Sequence, residues 1–197
     1  MNTDFLWILI AFLSGALPLS FWLGRLALGV DIRDYGDGNP GAANVWRAGG
    51  AGWGWLAILL DFFKGAIPVG LANFVAGVDG WWLTAVALAP ILGHAFSPFL
   101  RFRGGKALAV TFGIWTGLSV WLAPTVLGLS FALWFYWLKP EGWAVMAGSG
   151  CLLIVLLFLP VSPGWLSVWL GMALIFAWTH RADLAQRPRL RRLGGKA

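Results

Sequence analysis

One cysteine, two histidines and eight carboxylate side chains are spread over 197 residues, and each scarcity removes a class of function. The lone Cys151 lies in an apolar stretch, which excludes a disulfide framework and argues against a thiol nucleophile. No His or Cys cluster has metal-ligand spacing, so the sequence calls for no metal and no other cofactor. Charged residues make up 11% of the chain and hydrophobic ones 59%, where a soluble domain carries about 25% charge. A helical integral membrane protein is therefore expected. Polar groups do not recur through successive apolar stretches, as a transport path requires. Linkers, low-complexity runs and internal repeats are also missing, so residues 1–197 are expected to form one transmembrane domain.

What is present is a series of apolar blocks near residues 4–26, 53–78, 81–100, 107–122, 124–138, 143–159 and 164–179. A crossing takes about 20 apolar residues. Seven spans are expected, in an all-α bundle. The weak interval is 107–138, where Pro124 marks either a turn between two spans or a kink in one long helix; the latter leaves six. Cations favour seven, because Lys and Arg collect in cytoplasmic loops. With the N-terminus outside, Arg25, Arg33 and Arg47 share the first inner loop, and Arg101, Arg103 and Lys106 the second. Lys139 falls in the third, and Arg181, Arg187, Arg189, Arg191, Arg192 and Lys196 in the tail. The outer loops near Asp79, Pro124 and Ser162 then carry no Lys or Arg. The first block has Asp4 where a signal peptide carries cations, so it reads as a retained helix. The net charge of +6 is thus explained by topology and anionic headgroups, not nucleic acid.

The first inner loop contains Gly36-Asp37-Gly38-Asn39-Pro40-Gly41-Ala42-Ala43-Asn44-Val45-Trp46-Arg47. Its glycines permit positive φ and leave backbone N–H groups open, while Arg33, Asn39, Asn44 and Arg47 add donors, a chemistry suited to phosphate. The second loop ends in Arg101-Phe102-Arg103-Gly104-Gly105-Lys106, again glycines with cations. Inside the second span, Asp61 and Lys64 share a helical face at i and i+3. They read either as a structural ion pair or as a phosphate-binding Lys64 oriented by Asp61. His94 reads as a structural hydrogen-bonding group or a proton carrier. His180, three residues before Asp183, reads as an oriented general base or as a cap at the end of the last span.

These motifs in this order resemble the bacterial acyl-phosphate:glycerol-3-phosphate acyltransferases, the PlsY family. The matching text is Leu17-Pro18-Leu19-Ser20, Gly24-Arg25, Asp31-Ile32-Arg33, Gly38-Asn39-Pro40-Gly41-Ala42 and Asn44-Val45-Trp46-Arg47. It continues with Leu60-Asp61-Phe62-Phe63-Lys64-Gly65, Pro68, Gly93-His94, Pro98-Phe99, Phe102, Gly104-Gly105-Lys106 and His180-Arg181. The resemblance implies seven spans with an external N-terminus in the bacterial inner membrane and an active site facing the cytoplasm. It also implies acyl transfer from acyl phosphate to the 1-hydroxyl of glycerol 3-phosphate, giving lysophosphatidic acid and phosphate in phospholipid synthesis. Arg47, Lys106 and His180 inherit catalytic roles from it, and Asn39 and Asn44 active-site positions. Oligomeric state is left open, and a monomer suffices.

The chain departs from the family pattern at several of these positions. Asp37 replaces a serine, Ala43 a threonine and Asp183 an asparagine, and Gly104-Gly105-Lys106 continues as Ala107-Leu108-Ala109-Val110 where the family has Gly-Val-Ala-Thr. These changes remove hydroxyls and add negative charge where phosphate is expected. Two alternatives therefore stand beside the leading one: acyl-phosphate-dependent transfer to another acceptor, and a non-catalytic lipid- or anion-binding protein on the same scaffold.

Overall fold

The computed structural model describes residues 3–191; Arg192 and Lys196, expected in the cationic tail, lie outside it. The described chain is almost entirely helical: α1 (Thr3–Ala16), α2 (Leu19–Ala27), α3 (Ala42–Gly70), α4 (Gly80–Ala95), α5 (Leu108–Ser119), α6 (Leu122–Trp137), α7 (Glu141–Phe158), α8 (Pro163–Thr179) and the short α9 (Arg181–Leu184). Four helical stretches, 3–27, 42–75, 80–100 and 141–158, are long and apolar enough to cross a membrane, and α5, α6 and α8 are shorter apolar helices. Leucines and aromatics such as Leu26, Phe158, Trp81 and Trp121 are exposed, as a lipid-facing surface requires.

Glycines set the helix pairing. A Cβ on Gly15 would strike the backbone of Pro90, and one on Gly93 the backbone of Phe12, so α1 and α4 meet backbone to backbone. Gly113 against Phe62 and Gly65 against Val110 do the same for α3 and α5. Lipid tails are as apolar as the side chains they would replace, so close van der Waals approach drives such association.

The structure corrects three expectations about the blocks. The first is broken at Leu17-Pro18, because a proline there supplies no N–H and disfavours helix at the residue before it. The glycine-rich loop ends at Gly41: residues 42–49 are helical, and Gly50, at φ +79°, separates them from the remainder of α3. Trp46 folds back over Gly54 across that kink. In the weak interval two helices do form, but the turn lies at Val120-Trp121, and Pro124 stands in the first turn of α6, where no N–H is needed. At 12 residues, α5 is about 18 Å long.

The break at residue 17 frees carbonyls, and the buried polar groups answer them. Ser97 Oγ donates to Ala16 O at 2.6 Å and Lys64 Nζ to Leu17 O at 2.9 Å. Lys64 also pairs with Asp61 at 2.9 Å, and Ser20 Oγ donates to the other Asp61 oxygen at 2.6 Å. Lys64 is thus held at the kink by Leu17 O and Asp61, the geometry of the structural alternative for this pair.

Both glycine loops, the α6–α7 turn and the tail gather at one end of the bundle. Residues 138–139 and 189–190 form a two-residue antiparallel ladder, Leu138 facing Leu190 and Lys139 facing Arg189. At the other end, Asp79, Leu118, Ser162 and Gly164 line a common small cavity.

Candidate active site

The first loop folds around its own acid. Asp31 caps the turn Ile32–Asp34 by accepting from Arg33 N at 3.0 Å, and its carboxylate pairs with Arg25 and Arg33, each at 2.6 Å. The Arg33 hydrogen bonds hold that carboxyl well below the usual range. Gly36 and Gly38 then turn the chain with positive φ, so that Asp37 faces Asn39 and Asn44. Asp37 Oδ1 accepts from Asn39 N at 3.2 Å and from Asn44 Nδ2 at 3.1 Å, while Asp37 Oδ2 meets Lys106 at 2.8 Å. Asn44 Nδ2 also donates to Asn39 O at 2.8 Å, and Arg47 reaches Asn44 Oδ1 at 2.5 Å. Burial pushes the Asp37 carboxyl up, but Lys106, with Asn39 N–H and Asn44, outweighs it and holds the group below its ordinary value. Asp37 is therefore ionised and paired with the Lys106 cation.

The second loop returns against the end of α4. Gly104 N and Gly105 N donate to Ala95 O and His94 O, each at 3.1 Å. A Cβ on Gly105 would collide with the His94 ring, and one on Gly104 with His94 O. Both glycines thus serve close packing, and their N–H groups are satisfied by α4; the expectation that they offer these donors to phosphate is corrected. Neither α5 nor α3 has a side-chain cap at its start, where the first N–H groups of a helix lack an intrahelical carbonyl. Lys106, just ahead of α5, reaches Asp37 and, at 3.8 Å, Asp183.

The tail completes the site. Asp183 accepts from Gly142 N at 3.1 Å, and Trp143 Nε1 donates to Gln186 O at 2.8 Å, fixing α9 to α7. His180 is buried, with Nδ1 at 3.0 Å from Phe176 O. A carbonyl only accepts, so this contact is a hydrogen bond in the tautomer that carries the proton on Nδ1 and keeps a lone pair on Nε2. Burial, then the nearby Lys106 charge, lower the His180 pKa, so the ring is neutral at neutral pH.

These segments enclose a cavity of about 540 Å³. Of the residues expected in the site, Asp37, Asn39, Gly41, Arg47, Asp61, His94, Lys106 and His180 line it. Asn44 braces it through Asp37 and Arg47, and Asp183 through Lys106. Arg33, Gly36, Gly38, Lys64, Gly104 and Gly105 are not among its lining residues, and Arg33 faces a different cavity. Sequence reasoning missed Trp46, Glu141 and the first turn of α5, Ala107-Leu108-Ala109. A Gly-Gly-Lys run entering an apolar helix was the available signal for that turn; Glu141 gave none. Beyond the polar mouth the wall becomes apolar, with Ile58, Leu108, Phe112, Phe135 and Val145.

Cations and two helix N-termini at the mouth, over an apolar interior, mark the site of a polytopic membrane protein. The sequence profile described as glycerol-3-phosphate acyltransferase matches residues 5–188. The chain belongs to the glycerol-3-phosphate acyltransferase family. The Thermus thermophilus protein of that name is 41% identical over 201 residues, covering 96% of this chain and 95% of the relative. Glycerol-3-phosphate acyltransferase 1 of Thermotoga maritima is 47% identical over 126 residues, 63% of this chain and 62% of that protein. The crystal structure of PlsY (YgiH), an integral membrane glycerol 3-phosphate acyltransferase, in its glycerol 3-phosphate form has a TM-score of 0.85 at 29% identity, covering 93% of this chain and 91% of that one.

Proposed function

We propose that this chain moves a fatty acyl group from acyl phosphate to the 1-hydroxyl of glycerol 3-phosphate, giving lysophosphatidic acid and phosphate for phospholipid synthesis. The observation that carries this reading is the join, in one cavity, of Lys106, Arg47 and Asn39 at the mouth with Phe112 and Phe135 below. A phosphate fits the first group and an acyl chain the second. The hydroxyl oxygen bonds to the acyl carbon, and the bond from that carbon to the phosphate oxygen breaks with its electron pair leaving on phosphate. Lys106 and Arg47 stabilise the departing charge. Acyl phosphate is already activated, so no protein nucleophile is needed; the hydroxyl proton passes to a phosphate oxygen or to His180 Nε2. Asn39 Oδ1, buried and without a hydrogen-bond partner among the described residues, is an acceptor open to the attacking hydroxyl.

In this reading seven spans form one transmembrane domain in the bacterial inner membrane, with the N-terminus outside and the cavity opening to the cytoplasm. The cation-rich loops at one end support that orientation. The reaction needs no cofactor and no second subunit. Purified protein given palmitoyl phosphate should release phosphate only when glycerol 3-phosphate is present. Release that requires a different hydroxylated acceptor would redirect the assignment, and no release beside an active relative would leave a binding scaffold.

Two further results are expected. Asp37→Ser frees Lys106 and Asn44 from a competing carboxylate, so KM for glycerol 3-phosphate should fall several-fold with kcat maintained. A large loss of turnover would instead give Asp37 a role in handling the acceptor. Because burial and Lys106 lower the His180 pKa, the acid limb of kcat against pH should fall below the ordinary histidine value. His180→Gln should lower kcat and remove that limb; an unchanged profile would assign the proton to phosphate.

A further inference from the structure

A second cavity, of about 550 Å³, is lined by Phe21, Arg33, Phe99, Leu100, Arg101 and Arg103 and shares no lining residue with the first. Three of its lining residues are arginines and none is a carboxylate. Arg33 is held over the Phe21 ring at 4.8 Å and paired with Asp31 at its side. Arg101 and Arg103 have no side-chain partner among the described residues. A topology rule accounts for cations at this end of the bundle but not for their convergence on one cavity from two separate loops.

The turn that carries two of them is held in an unusual shape. Arg101 and Phe102 both have left-handed backbone, at φ +54° and φ +60°, which bulky L residues avoid. Phe102 N donates to Ser97 O at 2.8 Å and Arg103 N to Leu100 O at 3.1 Å, while Ser97 is tied to the break after α1 through Ala16 O. Strain kept by surrounding bonds points to a function for the shape it enforces. Phe99 of the lining, Trp22 packed against it and Phe102 between the two arginines are exposed, so apolar surface borders the cationic pocket.

We propose that this cavity is a second anion site that binds a phosphate monoester, separately from the cavity that holds the reacting groups. Planar guanidinium forks match the three oxygens of a monoester dianion. The phosphate comes either from a lipid headgroup whose chains lie on the aromatic rim or from a soluble phosphoester.

The test is calorimetric titration of detergent-purified Lys106→Ala protein, in which the first cavity is disabled, with dihexanoyl phosphatidic acid, dihexanoyl phosphatidylcholine, glycerol 3-phosphate and inorganic phosphate. Saturable binding of phosphatidic acid but not of phosphatidylcholine is expected. Adding Arg101→Gln and Arg103→Gln should weaken it by about tenfold or more, the scale of one charge-assisted hydrogen bond. Paired lysines at both positions should restore part of it. With Lys106 intact, the glutamine pair should leave acyl transfer and thermal unfolding unchanged. Should the pair fail to fold, each single glutamine variant carries the test with the same expected direction. Displacement of phosphatidic acid by inorganic phosphate at equal concentration would assign a soluble source, and its persistence a lipid source. Absence of saturable binding, or binding indifferent to Arg101 and Arg103, would overturn the proposal.

Discussion

Lys106→Ala should abolish acyl transfer, lowering kcat by about 10²- to 10³-fold, the usual effect of removing one preorganised charge from a transition state. Lys106 is the point where the first loop, the second loop and the tail meet, through Asp37 at 2.8 Å and Asp183 at 3.8 Å. Its ammonium faces both the cavity and those two carboxylates, and only the cavity partner changes charge during the reaction. The side chain is 25% exposed and belongs to a loop ahead of α5, so the thermal transition should move little. Phosphate release from palmitoyl phosphate and the unfolding midpoint, measured on the same preparation, separate the two effects. Lys106→Arg should recover part of the rate, since a planar fork replaces a compact charge. Turnover at the unsubstituted rate in Lys106→Ala would remove the proposed phosphate site.

Lys64→Met should damage the bundle itself. The substitution leaves Asp61, 2% exposed, with the Ser20 hydroxyl but without its cation, and strips Leu17 O of its donor. Removing one partner of a buried pair costs about 3–5 kcal/mol, and the orphaned carbonyl adds about 1–3 kcal/mol. A large fall in the unfolding midpoint in detergent is expected, with loss of folded protein at growth temperature. The double variant Asp61→Leu with Lys64→Met should be less destabilised than the sum of the single changes, because no unpaired charge is left. If Lys64→Met instead kept full stability and lost affinity for glycerol 3-phosphate, the alternative role read from its place beside Asp61 would be restored.

How the sequence announces these parts differs by part. That Lys106, Arg47, Asn39 and Asn44 come together was legible because glycines, cations and amides concentrated between apolar blocks mark one polar cluster. The apolar blocks were legible because hydropathy averages over 20 residues, and for the same reason the breaks were not. A single Pro18 or Gly50 hardly alters such an average, yet each decides where a helix stops. The partner of Lys64 was hidden most deeply: it is a carbonyl 47 residues away in sequence, freed only by the break at Pro18. Gly104 and Gly105 were assigned to phosphate because their N–H groups were counted as open, and only the path of the chain shows α4 accepting from them. Glu141 reaches the cavity through tertiary packing alone.

The tail has a consequence in time. His180 and Asp183 follow the last long helix, and the ladder at residues 189–190 follows both. A nascent chain synthesised from its N-terminus has every other wall of the cavity in the membrane before these residues leave the ribosome. Until then Lys106 has Asp37 alone for a partner, and the α6–α7 turn has no strand to pair with. The cavity is therefore completed late, by the segment from His180 to Leu190.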